Sequence, residues 1–261
     1  MTAAAHRKAI VKLLQASAYR HQLWTVFGDF VELAALAIAN AVDKRQFAVR
    51  EARYLQIIQR YDPEEARRFP AMLAELVSAL ELDPADQLGA IFGELELGNA
   101  ARGQFFTPPE LCRLMARLSI DPEDMREKIA RRGYITVQEP AAGAGAMIIA
   151  MATELQAAGF SYQQHMHVTA IDVDSRAVHM AYVQLSLLHV PAVVILGNTL
   201  AVEEREHWYT PAHILGAWEY RLRDRTPVPT PEPEVLTPEA GLLAPAALPL
   251  AQLDLFAAEA A

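Results

Sequence analysis

The sequence is poor in the residues that build covalent or metal-held frameworks. Cys112 is its only cysteine, which excludes an internal disulfide and fits a reducing, cytoplasmic setting. His165 and His167 adjoin a predicted strand without a Cys or acid at ligand spacing, so they do not read as a metal site. No Ser-His-Asp arrangement is suggested. Long uninterrupted apolar runs are missing too: Val26 to Val42 is broken by Asp29, Glu32 and Asn40. Met1 to Lys8 lacks an apolar segment followed by a small-residue cleavage site, so neither a membrane span nor a signal peptide is expected. Positive charge is scarce as well, with 23 Lys and Arg against 32 Asp and Glu and a net charge of -9. Five of those acids (Glu232, Glu234, Glu239, Asp254, Glu259) fall after residue 225, where there is no base. The body is therefore closer to neutral, but no basic stripe dominates it. Arg67-Arg68, Arg126 with Lys128 and Arg131-Arg132, and Arg221/Arg223/Arg225 can each touch phosphate, although such clusters read first as a solvated face.

Within 261 residues that are 52% apolar there is material for a real core, and three regions of different rhythm stand out. Residues 1–100 read as helices, with Ile10, Leu13, Leu14 and then Val31, Leu33, Ala34, Leu36, Ala37, Ile38 at helical spacing. Asp62-Pro63-Glu64-Glu65 and Asp83-Pro84-Ala85-Asp86 read as helix starts. This region is expected to be a scaffold or a recognition appendage. Residues 101–223 change to strand, loop and helix. Tyr134–Gln138, His167–Ile171 and Ala192–Leu196 are predicted strands, separated by helices over Ala146–Ala157 and Ser175–Leu188, and one further helix is expected from Pro211 to Arg223. That order is the β-α-β-α-β unit of a Rossmann-like half-sheet of about three parallel strands. Residues 224–261 carry Pro227, Pro229, Pro231, Pro233, Pro238, Pro245 and Pro249 among Ala, Thr and Glu, a composition expected of a disordered tether.

The first predicted strand runs into Glu139-Pro140-Ala141-Ala142-Gly143-Ala144-Gly145. A glycine loop between strand and helix lets a ligand approach the backbone, and the helix start offers unpaired amides. Nicotinamide enzymes place Gly or Ala three residues after the second glycine, whereas this chain has Ile148. The branched side chain argues against a pyrophosphate and for S-adenosylmethionine, which has no phosphate.

Taken with the upstream Gly103-Gln104-Phe105-Phe106-Thr107-Pro108-Pro109, this loop resembles the cofactor half of N6-adenine DNA methyltransferases. Asp86 to Phe92 is similar to the helix that precedes the same segment in methylation subunits of type I restriction-modification systems. The resemblance covers about residues 84–200. It implies that Phe106, Thr107 and Pro108 close over the methionine end of S-adenosylmethionine, and that Glu139, Pro140, Ala141, Gly143 and Gly145 cradle it. It also implies that Asp172 binds the ribose and that Asn198, where the family has Asp, meets the adenine. Each element also has a local reading: Asp172 as a helix cap, Thr107 with Glu110 as a capping box. Cys112, on the pattern Leu111, Leu114, Met115, Leu118, reads as core.

Methyl transfer to adenine N6 needs a flipped base held by an amide or acid, a proline-constrained carbonyl and an aromatic ring. The family supplies these as Asn or Asp, Pro, Pro, then Tyr or Phe, and no such motif follows Gly145. Asn198, Tyr209 and Pro211 are the weak substitutes. The first strand is then expected to present an edge, covered by the N-terminal helices or paired by a partner subunit or a second copy. Methylation by the isolated chain should be weak or absent. Finally, Gln252-Leu253-Asp254-Leu255-Phe256 resembles the peptide by which bacterial proteins dock on the DNA polymerase sliding clamp. Two readings follow: a DNA methyltransferase-family protein that needs a partner, or an inactive S-adenosylmethionine-binding protein brought to DNA by the clamp.

Overall fold

The computed structural model describes residues 1–95 and 107–223. The N-terminal layer comprises α1 (Ala3–Ser17), α2 (Leu23–Val42), a 3-10 turn (Lys44–Gln46), α3 (Phe47–Ile58), α4 (Pro63–Ala66), α5 (Arg68–Leu82) and α6 (Gln87–Glu94). α4 starts as expected, in a capping box: Asp62 accepts from the amides of Glu64 and Glu65 while Glu65 accepts from that of Asp62. The next start shifts. Asp83 ends α5 and Asp86 caps α6. α2 is long and apolar enough to cross a membrane, yet most of it is buried within the fold.

The second half contributes α7 (Pro109–Ser119), α8 (Pro122–Arg132), β1 (Ile135–Glu139), α9 (Ala146–Ala157), α10 (Tyr162–His165), β2 (Met166–Asp172), α11 (Ser175–Leu187), β3 (Ala192–Asn198), β4 (Glu203–Tyr209), α12 (Pro211–Leu215) and α13 (Trp218–Arg223). The sheet order is β1-β2-β3-β4. β1, β2 and β3 are parallel, with Val137 beside Val168 and Val168 beside Ala192. β4 is antiparallel to β3 and was not expected. Its Glu203-Glu204-Arg205-Glu206 half is exposed, so it lacks the apolar pattern that marks a strand; pairing to β3 supplies what propensity does not. The register shifts between Leu196 and Gly197. A Cβ at Gly197 would stand 2.4 Å from the Glu203 carbonyl oxygen, so glycine is needed for that close approach. The helix expected from Pro211 to Arg223 is two helices, parted at Gly216 and Ala217, the latter with φ 51°.

The core is continuous through both halves. Phe27, Phe30 and Phe92 from the helical layer share one buried cluster with Val168, Tyr182 and Val194. α2 packs on α11, and α3 is tied to β4 by Arg50. That buried guanidinium pairs with buried Asp43 at 3.0 Å, lies 4.9 Å from the Trp208 ring centroid and donates to the His207 carbonyl. Cys112 is buried against α9 as expected, but Leu111, Leu114, Met115 and Leu118 on the same helix are 45–79% exposed. Among the described residues no strand pairs with the outer edge of β1. α8 flanks that edge, and between them runs a groove lined by Ile120, Met125, Ile135, Val137 and Met151 with Lys128, Arg131 and Arg132 at its rim. Among the described residues, none from the N-terminal helices lines that groove.

Candidate cofactor site

The carboxyl ends of the three parallel strands carry the loops that the sequence singled out. After β1, the chain turns through Gly143 (φ 53°) and Gly145 (φ 95°), left-handed conformations that favour glycine. Space is not the constraint at Gly145, because an added Cβ would meet Ala181 only at ordinary contact distance. The turn is fastened to β2 by two bonds: the Ala142 amide donates to the Ile171 carbonyl at 2.9 Å, and the Gly143 amide donates to Asp172 Oδ2 at 2.8 Å. α9 then begins at Ala146 with no side chain capping it, which leaves its first-turn amides open.

Asp172 does two things at once. Its Oδ1 accepts from the Asp174 amide and its Oδ2 from Gly143, while α11 is capped by Asp174 instead. The helix cap expected at Asp172 thereby lies two residues on, at Asp174. Glu139, at the end of the neighbouring strand, accepts from the Ala141 amide. Desolvation pushes its carboxyl above the usual range, and the nearby Asp172 pushes it further, against the Ala141 bond. No basic side chain pairs with either acid among the described residues.

The third loop joins the first through Thr199, whose hydroxyl donates to the Pro140 carbonyl at 2.8 Å. Asn198 Oδ1 accepts from the amides of Leu200 and Ala201 at 3.0 and 3.2 Å. Those two backbone donors fix the side-chain orientation, so the Asn198 NH2 group is what remains to face a ligand. On the helical side, a cavity of about 220 Å³ between α6, α7 and α9 is lined by Asp86, Thr107, Pro108, Cys112 and Ala146. It brings Thr107 and Pro108 up to the first residue of α9. Thr107 does not cap α7; Pro108 holds that position without a side-chain bond.

Glu139, Pro140, Gly143, Asp172 and Asn198 thus lie on linked loops at one end of the sheet. Tyr209 and Pro211 do not. Tyr209 pairs with Val193 at the far end of β3, five residues or roughly 16 Å from Asn198 at about 3.3 Å per residue. Tyr209 ends β4 and Pro211 begins α12 just beyond it, both at the opposite end of the sheet from the glycine loop. Phe106 and Gln252–Phe256 lie outside the described residues. Thr199, Asp174 and Gly197 were missed by the sequence reading. Hydroxyl and carboxylate caps have no periodicity to announce them, and Gly197 owes its role to the unexpected β4.

Two carboxylates on adjacent strands, left-handed glycines, open amides and an amide donor, with no cation paired to the acids, suit a ligand with hydroxyls and no phosphate. Residues 92–216 match the family model of N-6 DNA methylases. The resemblance read from the motifs stands, and S-adenosylmethionine is the cofactor that this methylase family implies, with DNA as its substrate. The matched segment spans α7 to α12 and reaches back into α6. Among solved structures, the chain is similar to one described as a class I S-adenosylmethionine-dependent methyltransferase from Listeria monocytogenes. The identity there is 14%, with 85% of this chain and 71% of that chain covered and a TM-score of 0.42. None of the curated proteins searched matches.

Proposed function

We propose that the chain binds S-adenosylmethionine at the Glu139–Asp172–Asn198 end of the sheet and serves methylation of adenine N6 in DNA together with a partner subunit. The observation that carries this reading is the meeting of three strand-end loops around Gly143 and Asp172. In it, Asp172 holds the ribose, the glycine loop and α9 start hold the methionine end beside Thr107 and Pro108, and the Asn198 NH2 donates to an adenine ring nitrogen. Phe106 and Ala141 complete the cradle. The residues that would grip a flipped base are absent from the sequence after Gly145, and a partner supplies them. The open β1 edge, its groove and the exposed leucines of α7 favour such a partner. A place in a restriction-modification system and a cytoplasmic location accord with it, as do functional regions at 1–100, 101–223 and 224–261.

A second reading is a cofactor-binding but inactive accessory protein held at DNA by the sliding clamp through Gln252, Leu253, Asp254, Leu255 and Phe256. Calorimetry with S-adenosylmethionine and methyl incorporation into DNA separate the readings. We expect binding, with Asp172→Ala weakening it about tenfold or more, since a lost bond of about 1.4 kcal/mol is a factor of ten. Incorporation by the purified chain alone should be negligible; robust incorporation would remove the need for a partner. Leu255→Ala with Phe256→Ala should abolish clamp retention in a pull-down, and unchanged retention would remove the clamp.

A further inference from the structure

α11 is largely buried, and Gln184, one turn before its C-cap Leu188, is fully buried. A lone amide in such a place costs stability unless all its hydrogen-bonding capacity is met. Here it is met on both ends. Nε2 donates to the Ala144 carbonyl at 2.9 Å and to Asp86 Oδ1 at 2.8 Å. Oε1 accepts from the amides of Gln87 and Leu88 at 2.8 and 3.0 Å. Four bonds from one side chain therefore join the glycine loop to the first turn of α6.

We infer that Gln184 is a positioning residue for the cofactor loop, setting the direction of the Ala144–Gly145 peptide from the helical layer. Ala144 stands between the two left-handed glycines, the most freely rotating stretch of backbone in the site. Among the described residues, the anchor of its carbonyl is the Gln184 amide. Holding the carbonyl inward fixes the Gly145 amide of the same peptide, which donates to the Ala142 carbonyl at 2.8 Å, and with it the start of α9. Asp86 completes the clamp: it accepts from the Gly89 amide at 2.7 Å as well as from Gln184. Room for it is specific, because a Cβ at Gly89 would stand 2.0 Å from Asp86 Oδ2. Desolvation pushes the Asp86 carboxyl above the usual range, with the two donors opposing. The α6 segment is thus tied to the cofactor loop through Gln184. An amide is needed at 184, since only an amide donates twice and accepts twice there.

The inference rests on the cofactor reading above, and the test separates the two. Gln184→Glu keeps the acceptor for α6 but loses both donors, and sets a second carboxylate against Asp86. Adding Asp86→Asn removes that repulsion; because Asp86 Oδ1 takes both the Gln184 and the Gly89 donors, the double variant lacks the Ala144 bond and one contact at the α6 cap. The double variant D86N/Q184E should fold, by circular dichroism and melting. Its Gly143 and Gly145 amides should exchange with deuterium about tenfold faster than in the wild type, and its S-adenosylmethionine Kd should rise about tenfold. Tyr182→Phe, which removes a bond from the same helix to the Tyr209 carbonyl at the far end of the sheet, should lower the melting temperature and leave Kd unchanged. Wild-type exchange in the double variant would overturn the inference, as would Kd values that simply track melting temperature across both variants. If the wild type fails to bind S-adenosylmethionine, the cofactor reading falls, and the exchange rates still decide the role of Gln184.

Discussion

A single amide orientation decides what Asn198 can offer. Aspartate at this place would present acceptors to an adenine; Asn198, with its oxygen spent on Leu200 and Ala201, presents a donor. Asn198→Asp should keep the turn, because the carboxylate accepts the same two amides, but lose the donor. S-adenosylmethionine affinity should fall by about the worth of one hydrogen bond, fivefold to tenfold, in calorimetry at pH 8. An unchanged Kd would mean that Asn198 faces no ligand. The same residue shows how much of the site the sequence disclosed. That Gly143, Glu139, Asp172 and Asn198 stand on neighbouring loops at one end of the sheet was legible because strand ends and glycines are ordered along the chain. Whether Asn198 donates or accepts was not, because that depends on backbone amides two and three residues on. Gln184 was illegible for a related reason: its partners lie 40 and almost 100 residues away.

Between elements, the join of β2 to α12 and α13 carries a buried pair of imidazoles. His167 Nε2 lies 2.9 Å from His213 Nδ1, packed against Trp218. Burial, with His213 and Arg221 adding to it, pulls His167 down to about 3, and burial pulls His213 down to about 4. Both are therefore neutral in the fold at pH values where they would be charged in the unfolded chain. Their contribution is complete above the usual 6.5 and is lost as pH falls from there toward 4 and 3. The melting temperature should drop steeply below pH 6, and His167→Gln with His213→Gln should flatten that slope while lowering stability at pH 8. An unaltered slope would place the acid sensitivity elsewhere. The expected helices and parallel strands were readable here from apolar periodicity. β4 was not, because an edge strand with four exposed charges follows no core pattern and exists through its partner β3.

For the molecule as a whole, the change of rhythm near residue 100 marks a change of element type, while the buried cluster passes through it. Phe27, Phe30 and Phe92 fill the space beside α11, and Arg50 reaches β4 from α3. A chain beginning at residue 101 should therefore fail to fold cooperatively, seen as loss of a single melting transition; an intact transition would make the helical layer an appendage after all. The two margins of the sheet also differ in kind. β4 displays Glu203, Glu204, Arg205 and Glu206 and has its His207 carbonyl engaged by Arg50, so a foreign strand meets charge and an occupied acceptor there. Among the described residues β1 has no strand beyond its outer edge, where α8 and the apolar groove lie. A sheet with one receptive margin can be extended once but cannot propagate, because the added piece finds no matching site on the far side. Among the described residues, strand addition to this sheet is therefore one-sided.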